Sequence, residues 1–380
     1  VHRFKQGSGL PMRIPVVEMV EIGAGGGSIS KLDPLRRIQV GPQSAGADPG
    51  PACYARGGKD ATVTDANVVL GRIAADGFAG GDISLNSQNA VRAIDATLAD
   101  DLGHPTEFAA LGITEIVDEN MANAAREHAT ESGKTLSGRT LIAFGGSAPI
   151  HAARIAEKLN IERVIVPVGA GVGSAVGFLR APVAYEVSRS AYQRLAGFDP
   201  SSVNAMFSEM LQEAQSIVIA GAPGAQLRES RIGYMRYVGQ GHEIAVPIPV
   251  KVLQRADGAT LREVYDDVYR SKYGQAIAGV DVEVMNWTLS VTAPTADTQV
   301  DPSDANTYSP RAECVRRVFL PGSDNWLEAA CFTRARLRPG ATIVGPALIV
   351  ENQTTTVVTG ALTAQLNAFG DIVMHTSTSN

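Results

Sequence analysis

The order of apolar runs and glycine turns predicts an α/β region in the first half of the chain. Residues 140–144 are an apolar run that ends in glycine, which predicts a strand, and Pro149 then opens a helix that continues to Leu159. A second apolar run over 163–168 leads through another glycine turn into a further helix. The repeated order of strand, glycine turn and helix is typical of a buried sheet in an α/β fold.

The clearest amphipathic pattern covers residues 111–128, where apolar residues recur at spacings of three and four. This pattern predicts a helix, and Asn120 falls on its apolar stripe. A buried amide is costly unless it is hydrogen-bonded, so we expect Asn120 either to tie the helix to a neighbouring loop or to face a cleft. Shorter helical patterns cover 64–70, 87–98, 199–220 and 262–273.

After Pro182 the pattern changes to short, alternating segments rich in β-branched residues. Such segments predict a mostly antiparallel β region. They cover 231–238, 243–247, 284–292, 316–320, 342–350 and 354–358. We therefore expect two domains, an α/β domain over 1–185 and a β-rich α+β domain over 186–380.

Glycine is concentrated in clusters that follow predicted strands, at 23–28, 145–147 and 169–174. Glycine lets the backbone approach a ligand closely, and a helix that begins after such a turn favours an anion at its N-terminus. A tight turn or close packing of strand on helix is the structural alternative for each cluster. The segment 41–51 holds so much glycine and proline that it predicts a long ordered loop without regular structure.

Composition and motif searches exclude several function classes. A net charge of −6 argues against a nucleic-acid surface or a polybasic membrane segment, and no apolar run reaches the roughly 20 residues of a membrane span. The three cysteines are widely spaced, which favours reduced thiols in a cytoplasmic protein over a disulfide framework or a zinc site. We find no phosphate-binding GxxxxGK[ST] loop and no Ser-His-Asp or Cys-His arrangement, so a nucleophilic hydrolase acting alone is not predicted.

Three long motifs resemble the hydantoinase A family. They lie at Glu21 to Ile29, Val40 to Tyr54 and Val63 to Asn67. Shorter matches lie at 119–122, 143–146, 236–241, 273–274 and 345–347, so that the resemblance extends over nearly the whole chain. That family comprises ATP-dependent hydantoinases and oxoprolinases and the large subunits of acetone and acetophenone carboxylases. In addition, 144–147 together with 171–175 is similar to the adenosine-binding segment of the actin, heat-shock-70 and sugar-kinase ATPases.

The resemblance implies an actin-like ATPase subdomain followed by a mainly antiparallel β domain. It implies that ATP, with Mg²⁺, phosphorylates a carbonyl or amide oxygen, for hydrolysis of a hydantoin, oxoproline or lactam or for carboxylation of a ketone. It also implies a hydantoinase B-type subunit as partner. The family's two Asp-x-Gly-Gly-Thr phosphate loops are missing from this sequence. We therefore expect an N-terminal phosphate-binding part in the same chain or in another one.

Matching the motifs residue by residue gives the candidate site. The nucleotide-binding candidates are Gly25, Gly26, Gly27, Ser28, Gly145, Gly146, Ser147 and Gly173. Asp48 and Asn120 are the catalytic candidates. As a buried carboxylate, Asp48 would orient the substrate or a metal-bound water, whereas an Asx turn would only brace its loop. Asp65, which follows Thr64, is expected to be a helix N-cap.

Two other function classes remain open from the residues. A non-catalytic ATPase switch, similar to heat-shock-70 proteins or reactivating chaperones, would share the fold and use ATP to change its affinity for a partner. A scaffold subunit would retain only a degenerate nucleotide site. The segment 41–54 favours the enzyme over both, because it resembles the motif of the enzyme family.

Overall fold

The computed structural model describes residues 19–76, 78–81, 83–294 and 306–376. The helices are α1 (Val63–Val69), α2 (Ser87–Ile94), α3 (Asp100–Leu102), α4 (Thr106–Glu131), α5 (Ala148–Leu159), α6 (Gly173–Arg180), α7 (Pro200–Gly221) and α8 (Asp257–Tyr273). A π-helical turn, Asp95–Ala99, joins α2 to α3. Within the described ranges, no helix is both long and apolar enough to cross a membrane.

Fifteen strands can be traced through the described residues. They are β1 (Ser28–Leu32), β2 (Ile38–Ser44), β3 (Thr140–Ile142), β4 (Arg163–Val166), β5 (Val183–Arg194), β6 (Arg228–Tyr237), β7 (Ile244–Ile248), β8 (Val282–Ala293), β9 (Cys314–Val318), β10 (Leu327–Thr333), β11 (Thr342–Val344), β12 (Ala347–Val350), β13 (Thr355–Val358), β14 (Leu362–Leu366) and β15 (Ile372–Thr376). The fold is α/β, with mostly antiparallel sheets in the C-terminal region, which confirms the predicted fold class.

The chain folds into two compact units, the first of which is discontinuous in sequence, and the domain division expected at residue 185 stays a prediction. The first unit takes its residues from Val1–Val176 and Val300–Asn380, and the second is Gly177–Gln299. The reason lies in the sheet of the first unit, which has the strand order β11-β14-β15-β4-β3. Only β3 and β4 are parallel, and β15 pairs antiparallel with β4. Strands from the end of the chain therefore complete the α/β sheet.

Two predictions about strands differ from the structure. The run at 140–144 was expected to be buried, but β3 lies at the edge of its sheet and the side chain of Ile142 is 58% exposed. The segment 41–51 was expected to lack regular structure, but β2 continues through Gly41-Pro42 to Ser44. The β1–β2 hairpin is two-stranded and its register shifts between Ser28 and Ser30, and proline is tolerated in such irregular edge strands. The apolar segment 14–22 also predicts a strand; its residues 14–18 lie outside the described residues, and residues 19–22 are not in a strand.

Helix α5 lies at the centre of the first unit, packed against α4, β4 and β13. Its buried alanines, Ala152, Ala153 and Ala156, share one hydrophobic core with Ala122 of α4. Small side chains let the two helices approach closely, so that groups at the start of α5 are held firmly. A second core, including Leu70 and residues of the first half of α4, packs α1 against α4.

The second unit is an antiparallel sheet with the strand order β5-β8-β6-β7, together with α7 and α8. Its core contains the fully buried Trp287, whose ring packs edge-on against Phe207 with centroids 5.7 Å apart. The Tyr237 hydroxyl donates a hydrogen bond to Asp266 at 2.8 Å. The sequence prediction of antiparallel strands after Pro182 is confirmed in this unit.

Candidate functional site

A pocket of about 250 Å³ lies in the first unit, where the glycine turn before β1, the start of α5 and the loop after β12 meet. Its lining consists of Gly26, Gly27, Tyr54, Thr64, Ile73, Ala74, Phe78, Gly146, Ser147, Ile150, Val350, Glu351, Asn352, Gln353, Thr354 and Thr355. Four of the predicted nucleotide-binding residues belong to this list, and they come from two glycine clusters that are distant in sequence. The structure therefore brings these two clusters together.

Gly26 is closely packed between the N-terminal ends of α1 and α5. Its carbonyl oxygen accepts hydrogen bonds from the Thr64 backbone N–H at 2.8 Å and from the Thr64 hydroxyl at 2.9 Å. A Cβ atom at Gly26 would lie 2.7 Å from Thr64 Oγ1 and 4.0 Å from Ser147 Oγ. A side chain at position 26 therefore requires Thr64 to move, which explains the glycine on structural grounds.

The other residues of this turn have different roles. Ser28 is buried, and its Oγ accepts a hydrogen bond from the Gly25 N–H at 3.0 Å and donates one to the Gly23 carbonyl at 3.2 Å. The hydroxyl predicted to bind nucleotide thus closes the turn and lies outside the pocket lining. Gly25 is exposed beside the pocket, and a Cβ atom there would meet nothing within 4 Å. Packing does not require glycine at position 25.

The N-terminal end of α5 faces the pocket without a side-chain cap. Ser147 is the N-cap residue, but its hydroxyl makes no capping hydrogen bond, and Pro149 has no N–H group to donate. Gly145 just before it has φ = +114°, a conformation that favours glycine. The Ile150 N–H bonds to the Ser147 carbonyl at 3.1 Å, so the start of α5 presents the positive end of the helix dipole together with the Ser147 hydroxyl. This combination is suited to an anionic or oxygen-rich ligand.

Gly173, the last nucleotide-binding candidate, lies outside the pocket lining. A Cβ atom at this position would lie 3.1 Å from the ring of Phe144. Close packing at the start of α6 accounts for this glycine. At nearby Gly171, a Cβ atom would collide with the side chain of Gln353, so glycine there lets the loop after β12 approach the pocket.

Asp65 organises the segment that supplies Tyr54 to the pocket wall. Its carboxylate is fully buried and accepts hydrogen bonds from the backbone N–H groups of Cys53 at 2.7 Å and Ala52 at 3.2 Å. It also accepts from the N–H and hydroxyl of Thr62. The N-cap of α1 is Thr62, and Asp65 is the third helical residue of a capping box, so the expected N-cap assignment was wrong by three positions.

The cysteines of the described residues are free thiols, as the sequence predicted. Cys53 is fully buried, and burial followed by the neighbouring Asp65 carboxylate raises the pKa of its thiol far above the usual range. A thiol held in this way does not provide a nucleophile. On β9 and β10, Cys314 lies opposite Cys331, and burial raises the pKa of the Cys331 thiol to about 11.

The loop after β12 contributes a carboxylate that sequence reasoning missed. Glu351 lines the pocket, and its Oε2 accepts a hydrogen bond from Arg334 at 2.9 Å. Arg334 is buried and also donates to the carbonyl groups of Val166, Pro167 and Gly370. One guanidinium therefore joins the ends of three chain segments and holds the Glu351 side chain. The only signal in the sequence was a short polar run, 351–354, between two apolar strands.

Replacing Arg334 with methionine is expected to lower the free energy of unfolding by about 3 kcal/mol, because Glu351 and three carbonyl groups lose a buried cationic donor. The measurement is a urea unfolding curve. Arg336→Met is the matched control, since Arg336 is 74% exposed and its guanidinium pairs with Glu313 near the surface. Equal losses in the two variants would contradict the role given to Arg334.

The two catalytic candidates are not among the residues that line the pocket. Asp48 is exposed, and no described residue hydrogen-bonds to its carboxylate, so neither the buried carboxylate nor the Asx turn considered for it is seen among the described residues. Asn120 is also exposed, so its expected burial on the apolar stripe was wrong, whereas its facing a cleft stays a prediction. The physical reason is that the buried face of α4 shifts to Asp118 and Ala122 where the helix packs against α5. A catalytic role for Asp48 or Asn120 stays a prediction.

The described residues contain no group of three or more His, Cys, Asp or Glu side chains placed to hold a metal ion. Glu351 is the one acidic side chain in the described pocket lining. The described pocket lining therefore provides backbone groups, hydroxyl groups, one carboxylate and an apolar surface.

Comparison with known proteins gives two matches to family profiles. Residues 1–187 match hydantoinase/oxoprolinase, and residues 199–375 match the hydantoinase/oxoprolinase C-terminal domain. The caprolactamase subunit alpha of Pseudomonas jessenii is 32% identical, over 91% of this chain and 50% of its own length. The acetophenone carboxylase gamma subunit of Aromatoleum aromaticum is 31% identical, over 91% of this chain and 49% of its own length.

Two solved structures are also similar. The nucleotide-free structure of acetone carboxylase, which is described as ATP-dependent, has a TM-score of 0.82 at 26% identity, covering 94% of this chain and 52% of that one. The ATP-dependent caprolactamase of Pseudomonas jessenii has a TM-score of 0.72 at 30% identity, with the same coverage. This chain thus spans about half the length of the relatives that it matches.

Proposed function

Because this chain belongs to the hydantoinase/oxoprolinase family, we propose that it forms part of an ATP-dependent enzyme which activates a carbonyl or amide oxygen by phosphoryl transfer. The activated oxygen serves either ring-amide hydrolysis, of a hydantoin, oxoproline or lactam, or carboxylation of a ketone. The observation that carries this proposal is the pocket at the uncapped start of α5, where two glycine clusters converge. Relatives whose names state ATP-dependent caprolactamase and acetone carboxylase activities support it.

Three properties of the pocket suit a nucleotide. The start of α5 presents the positive end of its helix dipole and the Ser147 hydroxyl to anionic or hydroxyl oxygens. Gly146 in the lining carries no side chain, which leaves room for a ligand beside the backbone. Tyr54 and Phe78, whose rings lie 5.7 Å apart, give an apolar wall for a base. ATP supplies the phosphoryl group, and these residues bind and orient the nucleotide.

The volume of about 250 Å³ is below the usual range of complete ligand pockets, which begins at about 300 Å³. We therefore propose that this chain forms one side of the nucleotide cleft and that an N-terminal phosphate-binding part, in the same chain or another, forms the other side. Mg²⁺ is proposed to accompany ATP and to be bound mainly by the phosphates, because Glu351 is the one carboxylate of the described lining.

We further propose a hydantoinase B-type subunit as partner and a cytoplasmic location. The relatives support a partner, since caprolactamase and acetophenone carboxylase proteins of this type are named as the alpha and gamma subunits of their enzymes. In this proposal, phosphoryl transfer takes place on this subunit, and the hydrolysis or carboxylation that follows takes place on its partner.

The test is ATP hydrolysis by the full-length protein with its partner subunit, measured with hydantoin, 5-oxoproline, caprolactam, acetone and acetophenone. We expect one substrate class to raise the rate by about tenfold or more, because the phosphoryl acceptor completes the reaction. A rate that ignores every compound but responds to a partner protein would instead show an ATPase switch. Calorimetry that detects no ADP binding by the assembly would show a scaffold subunit.

A further inference from the structure

A buried polar cluster joins α1, α4 and α5 directly behind the pocket. Its members are Asn67 in α1, Arg72 just after α1, Asp118 in α4 and His151 in α5, and each is at most 3% exposed. The Nδ1 atom of His151 lies 2.6 Å from Asp118 Oδ1, and its Nε2 lies 3.3 Å from Asn67 Nδ2. Arg72 Nη1 donates a longer hydrogen bond, 3.4 Å, to Asn67 Oδ1.

The amide of Asn67 determines which nitrogen of His151 carries a proton. Asn67 Nδ2 donates to the Val63 carbonyl at 3.1 Å, while Asn67 Oδ1 accepts from Arg72. The amide therefore presents its NH₂ group to His151, and Nε2 must accept. The proton lies on Nδ1 and is donated to Asp118, so that the imidazole is neutral.

The cluster also contains two opposite charges, on Arg72 and Asp118. Burial lowers the pKa of the Arg72 guanidinium to about 10, opposed by the nearby Asp118 and Glu115 carboxylates. The preference for an unprotonated Nε2 comes from Asn67, because a proton on Nε2 would turn an N–H group towards the Asn67 NH₂ group.

The position of the cluster connects it to the pocket. Asn67 follows Thr64 by three residues along α1, and His151 follows Ser147 by four residues along α5. Residues at these spacings lie on the same face of a helix, one turn apart. The Asn67–His151 contact therefore lies one turn behind Thr64 and Ser147, whose hydroxyl groups flank Gly26.

We propose that His151 is a positioning residue for the ligand of this pocket. Anchored through Nδ1 to Asp118, it fixes Asn67 through Nε2 and thereby sets the separation of the Thr64 and Ser147 hydroxyls. This assignment rests on the nucleotide function proposed above. If His151 only stabilised the core, replacing it would lower stability without changing ligand affinity. If His151 is a positioning residue, every variant that breaks the Asn67–His151 contact changes ligand affinity.

The first test is ADP binding by titration calorimetry on the full-length protein with its partner subunit. His151→Phe and Asn67→Leu keep side-chain bulk but lose the contact, and each is expected to raise the Kd by about tenfold. Because both remove the same contact, the double variant should bind no more weakly than either single variant. Asp118→Asn retains an acceptor for the Nδ1 proton and should rescue affinity relative to Asp118→Leu.

Lys158→Met is the matched control for these variants. It removes the ion pairs of Lys158 with Glu115 and Glu119, which join α5 to α4 without involving α1, so Tm should fall while the Kd stays unchanged. A fall in Tm with an unchanged Kd in His151→Phe would overturn the positioning role. A wild-type protein that binds no ADP would overturn the proposed nucleotide function together with this inference.

The second test needs no variant and no ligand. Nitrogen-15 NMR of the histidine rings in the intact protein should show His151 with a protonated Nδ1 and an unprotonated Nε2 at neutral pH. A doubly protonated ring, or a proton on Nε2 alone, would overturn the assignment. This result does not depend on whether the pocket binds a nucleotide.

Discussion

Asp65→Ala is expected to lower the free energy of unfolding by about 3–5 kcal/mol and to weaken ligand binding in the pocket. The carboxylate accepts four hydrogen bonds from groups of Ala52, Cys53 and Thr62, and it is fully buried. Without it, several buried donors have no acceptor, and the segment that carries Tyr54 loses its attachment to α1. Urea unfolding measures the first effect and ADP titration measures the second.

Asp33→Ala is the matched control for this variant. Asp33 also accepts hydrogen bonds from two backbone N–H groups, those of Leu35 and Arg37, and from the Arg37 side chain, but it does so at the surface. Water replaces the lost partner there, so we expect little change in stability. Comparable losses for Asp65→Ala and Asp33→Ala would show that burial of the Asp65 carboxylate is not what makes it important.

Gly26→Ala is expected to raise the Kd for ADP by about a hundredfold, because the new methyl group displaces Thr64 at the centre of the pocket. The Cβ atom would lie 2.7 Å from Thr64 Oγ1, which donates to the Gly26 carbonyl. If the collision is the cause, Thr64→Ala should restore part of the affinity in the double variant. Titration of wild-type, single and double variants measures this coupling.

Gly25→Ala provides the comparison within the same turn. A Cβ atom at Gly25 meets nothing within 4 Å, so this variant should fold as the wild type does. Weaker ADP binding by Gly25→Ala would then mean that the ligand itself approaches position 25. Gly26→Ala with wild-type affinity would contradict the close packing of Thr64 against the turn.

The parts of the site that the sequence predicted are those that depend on local chemistry. The apolar run at 140–144, the glycines after it and Pro149 predict the turn at the start of α5, because a strand end, a glycine turn and a first-turn proline each restrict the backbone locally. Gly26 and Gly146 were likewise identified from their clusters. No local pattern in the sequence shows that the two glycine clusters meet in the fold. The expectation that both contribute to one nucleotide site came from the family resemblance.

The parts that were missed depend on contacts between distant residues. Arg334 and Glu351 become partners because β10 and β12 lie side by side, which no spacing in the sequence reveals. Asn120 was placed on the buried stripe of α4 because a single periodic pattern was assumed for the whole helix. The helix instead packs against α1 in one part and α5 in another, so Asp118 is buried and Asn120 is not.

The place of β15 in the first sheet has a consequence for the order of events during synthesis. β4 emerges from the ribosome long before β15, yet β15 is the strand that joins β4 to β14. The pocket loop at 350–355 is also made late. Residues 177–299, whose sheet pairs only within this range, can fold first. Until β14 and β15 have been synthesised, the sheet of the first unit is therefore incomplete, and the pocket cannot form before residues 350–355 have been added to the chain.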